Sequence, residues 1–229
     1  MQANVDLNWP NGVGKYGKFN LSDAIAHSLK TEGCLLSNKL KEKGRFGGGD
    51  PTSHENYLRV TLGQSRGNSP GIAYVLEIWP GGYYSPIHNH GNAHAVIKVL
   101  FGGLNVNLYN KLRETTREQT LPQTAEDPAV LETMKIAAGG VIWISPNWFQ
   151  AHKLINPNNG HIELFCATVQ CYQYGDDDAL AWPYFDYLQD SQDTVIIKEF
   201  YPDHDFGFSE MRDTVMEEYF NAVKAGLGV

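Results

Sequence analysis

Eight histidines are spread unevenly along the chain, and three crowd one segment, Pro86-Ile-His88-Asn-His90-Gly-Asn-Ala-His94. In an extended segment, residues two apart project from the same side, so His88 and His90 can present two imidazoles to one ion. Neutral imidazole suits Fe, Zn, Cu or Ni. The carboxylates that would favour Mg or Ca are missing from this cluster. A lone His-x-His also fits a pair of surface histidines in a turn, so the surroundings decide. Gly82-x5-His88-x-His90 follows the apolar run Ile72 to Trp79, and Gly140-x5-Pro146-x5-His152-x3-Asn156 stands further on. Asp176-Asp-Asp178 lacks calcium-loop spacing and reads as a solvated turn. Cys166 and Cys171, five apart, fall on opposite faces of one strand and cannot form a two-ligand site.

The elements that must position these residues are mostly strands. Runs at 57–62, 72–79, 94–101, 104–109, 141–145, 162–174 and 195–200 are short, rich in Val, Ile, Tyr, Trp and Phe, and punctuated by Gly, Pro and Asn. Two short helices precede them, one capped by Ser22 and ending near Gly33, the other from about Leu35 to Lys43. A helix from Ser209, with Met211, Val215, Tyr219 and Val223 on one stripe, follows them. The polar stretch 113–134 reads as a surface excursion, and Trp143 and Trp148 are expected to pack near the mouth of a barrel. Such a chain is an all-β sandwich or barrel. At 229 residues with 42% hydrophobic and 12% aromatic content, it has enough apolar material for one sizeable core.

Charge and cysteines exclude several classes. Lys and Arg number 18 against 26 Asp and Glu, a net −8, with no basic block, so neither nucleic acid nor membrane is the expected partner. No apolar run reaches transmembrane length, and the first residues carry neither a basic nor an apolar leader region. An odd set of three cysteines, Cys34, Cys166 and Cys171, predicts free thiols and a cytoplasmic setting. No segment of the sequence specifies an oligomeric state.

The two glycine-and-histidine blocks resemble the two motifs of the cupin superfamily. That resemblance implies a double-stranded β-helix barrel, to which the residue patterns add short N-terminal helices and a C-terminal helix that lies outside the resemblance. The expected organisation is a single domain over 1–229, with a helical lead-in at 1–50, the barrel at 51–208 and the last helix at 209–229. The resemblance also implies His88, His90 and His152 as metal ligands. The place of the glutamate ligand found in many cupins is Ala95, so the set is three imidazoles and no carboxylate.

Tyr74-Val-Leu-Glu-Ile-Trp-Pro-Gly-Gly-Tyr-Tyr-Ser-Pro-Ile-His88-Asn-His90 further resembles the signature block of cysteine dioxygenase and other thiol dioxygenases. Tyr57-Leu-Arg59 matches a Tyr-x-Arg element whose Arg binds the substrate carboxylate in that family. Thr168-Val-Gln170-Cys-Tyr172 falls where the family has Ser-x-His-x-Tyr, whose Tyr faces the iron. The resemblance implies Tyr172 as the catalytic tyrosine, with Tyr174 as the alternative after a two-residue slip. Tyr57, Arg59, His94, Thr168 and Gln170 become substrate-binding residues. Ala95 stands where animal members carry a Cys bonded to the tyrosine, so no such crosslink is expected. The implied cofactor is Fe(II), with Zn or Ni as ions an overproducing host would load. The implied reactants are a small thiol acid of the cysteine or 3-mercaptopropionate type and O2, giving a sulfinic acid. A metal cupin with another reaction, such as an isomerase or a different dioxygenase, or a non-catalytic ligand-binding cupin, fits the same histidines.

Overall fold

The computed structural model describes residues 19–46, 57–64, 72–90, 93–109, 123–125, 129–145, 151–174, 185–191, 194–200 and 204–227. Helices α1 (Leu21–Lys30) and α2 (Leu35–Phe46) come first. The strands β1 (Leu58–Gln64), β2 (Ile72–Trp79), β3 (Ala93–Phe101), β4 (Gly103–Tyr109), β5 (Gln123–Ala125) and β6 (Val130–Ala137) follow. They continue with β7 (Val141–Ile144), β8 (Ala151–Ile155), β9 (Cys166–Tyr174), β10 (Phe185–Ser191), β11 (Thr194–Phe200) and β12 (Phe206–Gly207), and α3 (Phe208–Lys224) ends the series.

One sheet runs β12-β1-β2-β9-β3-β7, a second β6-β4-β8, and a third β10-β11-β5. Trp79, Ile97, Val99 and Ile142 of the first sheet, with Tyr57 just before β1, pack with Leu104, Val106, Leu108 and Leu154 of the second, which makes the barrel interior. On the outer face of the first sheet, Leu58, Val60, Leu76 and Ile78 meet Ile25, Leu29, Leu36, Met211 and Val215 of the three helices. The fold is the double-stranded β-helix of the cupin type, with the expected helices at both ends.

The local pattern explains these faces. On β3, Ala93, Ala95, Ile97 and Val99 are buried while His94, Val96 and Lys98 are exposed, the period of a strand with one dry side. β2 is buried on both faces, because helices cover the side that the barrel does not, and so it reads as one continuous apolar run. Gly102 turns β3 into β4 at φ +71°, and a Cβ there would stand 2.5 Å from Phe165 O, so only glycine fits.

Several boundaries differ from expectation. Asn20, not Ser22, is the N-cap of α1, and Ser22 is buried inside its first turn. The stretch 113–134 contains β5 and the start of β6, whose inward Met134 and Ile136 are outnumbered by exposed neighbours. The strand expected over 162–174 begins only at Cys166, since 157–164 is spent on turns. β8 and β10 were not separately expected. Trp143 points outward from β7 and is 52% exposed rather than packed at a mouth, while Trp148 lies outside the described residues.

Candidate metal centre

The segment 83–88 runs antiparallel to β8. Tyr84 bridges Ile155 and His88 bridges His152, with both backbone bonds of the latter pair at 3.0 Å. Facing residues of such a pair share a side, so His88 and His152 meet, and His90, two residues on, joins them. Ring centroids lie 4.8 Å apart for His88 and His90, 4.5 Å for His88 and His152, and 5.0 Å for His90 and His152. All three are buried, and their ligand atoms fall within 4.8 Å of one another.

The two blocks are clipped together by side chains that the motifs supply. Ser85 Oγ accepts from Leu154 N at 2.9 Å. Asn156 is fully buried and donates to Trp79 O at 2.8 Å and Leu164 O at 2.9 Å, while its Oδ1 accepts from Asn158 N at 3.2 Å. The glycine-rich turn between β2 and His88 is thereby fixed against the strand that carries His152.

The cluster fits a cation. Burial holds His88 down to about 4, and holds His90 and His152 well below the usual imidazole range, with neighbouring rings adding to the effect. All three are therefore neutral at pH 7. His88 Nδ1 lies 3.0 Å from Pro86 O, which places its proton there and turns Nε2 toward the cluster. His90 Nε2 and His152 Nε2 face each other at 3.3 Å, an arrangement that a shared ion satisfies better than two lone pairs. Cys166 also points inward but packs among apolar side chains, and burial pushes its thiol up to about 12, so it stays protonated and outside the ligand set.

Tyr172 is buried beside the cluster, its ring centroid 5.1 Å from His90. Its partner across the β3–β9 ladder is Ala95, which offers no sulfur. The hydroxyl donates to Gln170 Oε1 in a short hydrogen bond. Tyr174 pairs with Ala93 in the backbone, and its side chain lies outside the described residues. Thr168 Oγ1 accepts from Trp79 Nε1 at 3.3 Å, and Trp79 stacks on Tyr57 with centroids 4.2 Å apart. Thr168, Gln170, Tyr172, Tyr57 and Arg59 are all buried on the barrel side of their strands.

One site residue needs correction, and another has an unexpected neighbour. His94 is not in the chamber: it belongs to the exposed set of β3, opposite in parity to Ala93 and Ala95, and so faces away from His88 and His90. Arg59 is buried and has a counter-charge beside it. Glu77 lies directly across from it in the β1–β2 ladder, with Arg59 Nε 3.8 Å from Glu77 Oε1. Glu77 Oε2 accepts a short hydrogen bond from Gln170 Nε2, so Arg59, Glu77, Gln170 and Tyr172 form one polar line through the interior. Burial pushes Glu77 up to about 7 against the pull of Arg59 and Lys43. β2 is buried on both faces and so offers no alternation from which this inward carboxylate could be read.

No protein-family model matches the chain. Solved structures similar to it include a protein with a double-stranded β-helix domain from Klebsiella pneumoniae. It has 14% identity and a TM-score of 0.38 over 58% of this chain and 85% of that one. The cupin domain of Cnp3 from Schizosaccharomyces pombe has 12% identity and a TM-score of 0.36, over 52% of this chain and 61% of that one. An oxalate oxidase has 17% identity and a TM-score of 0.32, over 45% and 42%. This chain spans less than two thirds of the last two. At such identities a common barrel says nothing of a common reaction. By its own strands the chain is a cupin-type barrel, and its buried His88, His90 and His152 can hold a metal ion.

Proposed function

We propose that the chain is a non-haem iron thiol dioxygenase that converts a small thiol carboxylic acid, of the cysteine or 3-mercaptopropionate type, to its sulfinic acid with O2. The observation that carries this reading is a ligand set of three neutral imidazoles in the same chamber as Tyr172 and Arg59. An iron ion held by His88, His90 and His152 would keep its full charge, favour a thiolate over a thiol and bring both reactants to one centre.

The chain's own residues do the rest. Val75, Ala93, Ala95 and Ile144 pack around Tyr172 and keep water from that side of the cluster. Gln170 holds the Tyr172 hydroxyl in one orientation. The stacked rings of Tyr57 and Trp79 wall the chamber beside Arg59, whose guanidinium is the group to meet the far end of the substrate. Three free cysteines suit a reducing cytoplasm, and no described helix is long and apolar enough to cross a membrane.

The test is metal analysis together with O2 consumption on a panel of thiols. Iron-loaded protein should consume O2 with a thiol and form the sulfinic acid, and His88→Ala should lose both metal and turnover. Full metal content in His88→Ala would misplace the site. Glu77 beside Arg59 favours a second reading, a metal cupin whose substrate has no carboxylate. Turnover confined to thiols without a carboxylate would select a carboxylate-free substrate, and no O2 consumption with any thiol, with metal bound, would select a metal cupin of another reaction.

A further inference from the structure

Glu77 has no role in the thiol dioxygenase resemblance, yet it is buried inside the barrel between Arg59 and Gln170. It faces Arg59 from β1 and Tyr57 just before that strand, and Thr168 and Gln170 from β9, with Thr168 its direct ladder partner there. From α2, Lys43 acts on it through the field alone, because the ammonium itself bonds Tyr57 O and Asp205 at 2.8 Å. Arg59 is thus the one cation beside it among the described residues, and the pairing is loose: 3.8 Å is an ion pair without a hydrogen bond, and Arg59 Nε donates to nothing. A guanidinium with an idle donor in a dry chamber is open to a second anion. Two carboxylates that share one buried cation repel, and one of them is then protonated.

Building on the thiol reading of this site, we propose that Glu77 sets which charge the substrate's far end can carry. It competes with a substrate carboxylate for Arg59, so a thiol carboxylate enters only as Glu77 takes up a proton, whereas an uncharged head group enters with none. The proton comes from solvent and stays on the Glu77 carboxyl. The thiol proton leaves to solvent at the metal for either ligand alike. No electrons move. Glu77 already sits near 7, held up by burial, so little further push is needed to keep it protonated while Arg59 is engaged elsewhere.

The experiment compares 3-mercaptopropionate with its amide, which differ only in head-group charge, binding to zinc-loaded protein without turnover. Calorimetry at pH 8 in buffers of different ionisation enthalpy should show the carboxylate binding with about one proton more than the amide. From pH 7.5 to 8.5 its affinity relative to the amide should fall about tenfold. Glu77→Gln should abolish both differences and tighten the carboxylate at pH 8 by about tenfold, with the amide unmoved. Equal proton counts in the wild type, weaker carboxylate binding in Glu77→Gln, a pH slope that survives the substitution, or failure of either ligand to bind would each overturn the proposal. If Glu77→Gln does not fold, the wild-type proton count decides alone. Absence of O2 consumption by the iron-loaded protein would remove the dioxygenase reading and leave this binding result standing.

Discussion

Asn156 offers a measurable handle on how the histidine blocks are joined. Its amide donates to Trp79 O and Leu164 O, and its carbonyl accepts from Asn158 N and from Asn158 Nδ2 at 3.0 Å, all from a position with no exposure. Asn156→Ala removes all four bonds. Leu164 O keeps a donor in Asn158 Nδ2 at 3.2 Å, but Trp79 O loses its side-chain partner inside the barrel wall. At about 0.5–1.5 kcal/mol per hydrogen bond, with those at the rim at the low end, the loss is about 2–4 kcal/mol. For a domain of this size that lowers Tm by about 5–15 °C. Thermal and urea unfolding of metal-free protein measure it directly.

Asn156→Asp sharpens the test. A carboxylate aimed at two carbonyl oxygens favours its protonated form, so its pKa rises on folding. The stability it contributes is present at low pH and lost as pH rises through the folded value. Asn156→Asp should therefore be less stable than Asn156→Ala at pH 8 and recover toward it, or past it, at pH 5. A loss below about 1 kcal/mol in Asn156→Ala, or an Asp variant indifferent to pH, would refute the view that this side chain clips the two blocks together.

Tyr172→Phe should keep full metal content and a folded barrel while lowering kcat more than it raises KM, since only the hydroxyl that Gln170 holds is lost; steady-state kinetics beside metal analysis check this. Its intact mass in the wild type should show no loss of two hydrogens, because Ala95 is the residue across the ladder. Metal-free protein should be labile to acid. His88 falls from 6.5 when unfolded to about 4 when buried, so its contribution is complete above 6.5 and is lost as pH drops toward 4. That is about 3 kcal/mol from His88 alone, to which His90 and His152 add in the same direction. Urea midpoints at pH 7 and 5, with and without bound zinc, measure it, and an unchanged midpoint in the metal-free protein would contradict neutral burial of the cluster.

The barrel and its three imidazoles were legible because their signals are local. His88 and His90 carry strand parity within five residues, and the Gly140 to Asn156 block carries its own glycine, proline and asparagine. His94 was legible too, and misread: the alternation Ala93, Ala95, Ile97, Val99 already puts it on the other side. Glu77 was hidden for a different reason. A strand covered on both faces has no polar side to contrast with, so a carboxylate within Tyr74–Trp79 gives no sign of facing inward until the β1–β2 register sets it against Arg59. β6 escaped because an edge strand with exposed residues on both sides resembles a loop in composition.

The place of β9 has a consequence for how the molecule comes to be made. It lies between β2 and β3, pairing with both along nearly its whole length, yet it follows them by about ninety and seventy residues. As the chain is synthesised, β2 and β3 therefore wait as two separate open edges, and the centre of the sheet cannot close until the segment around Tyr172 has emerged. The strand that brings Gln170 and Tyr172 to the chamber is the same one that ends this exposure. Slow elongation before Cys166 would prolong the interval in which β2 and β3 can pair with the wrong chain.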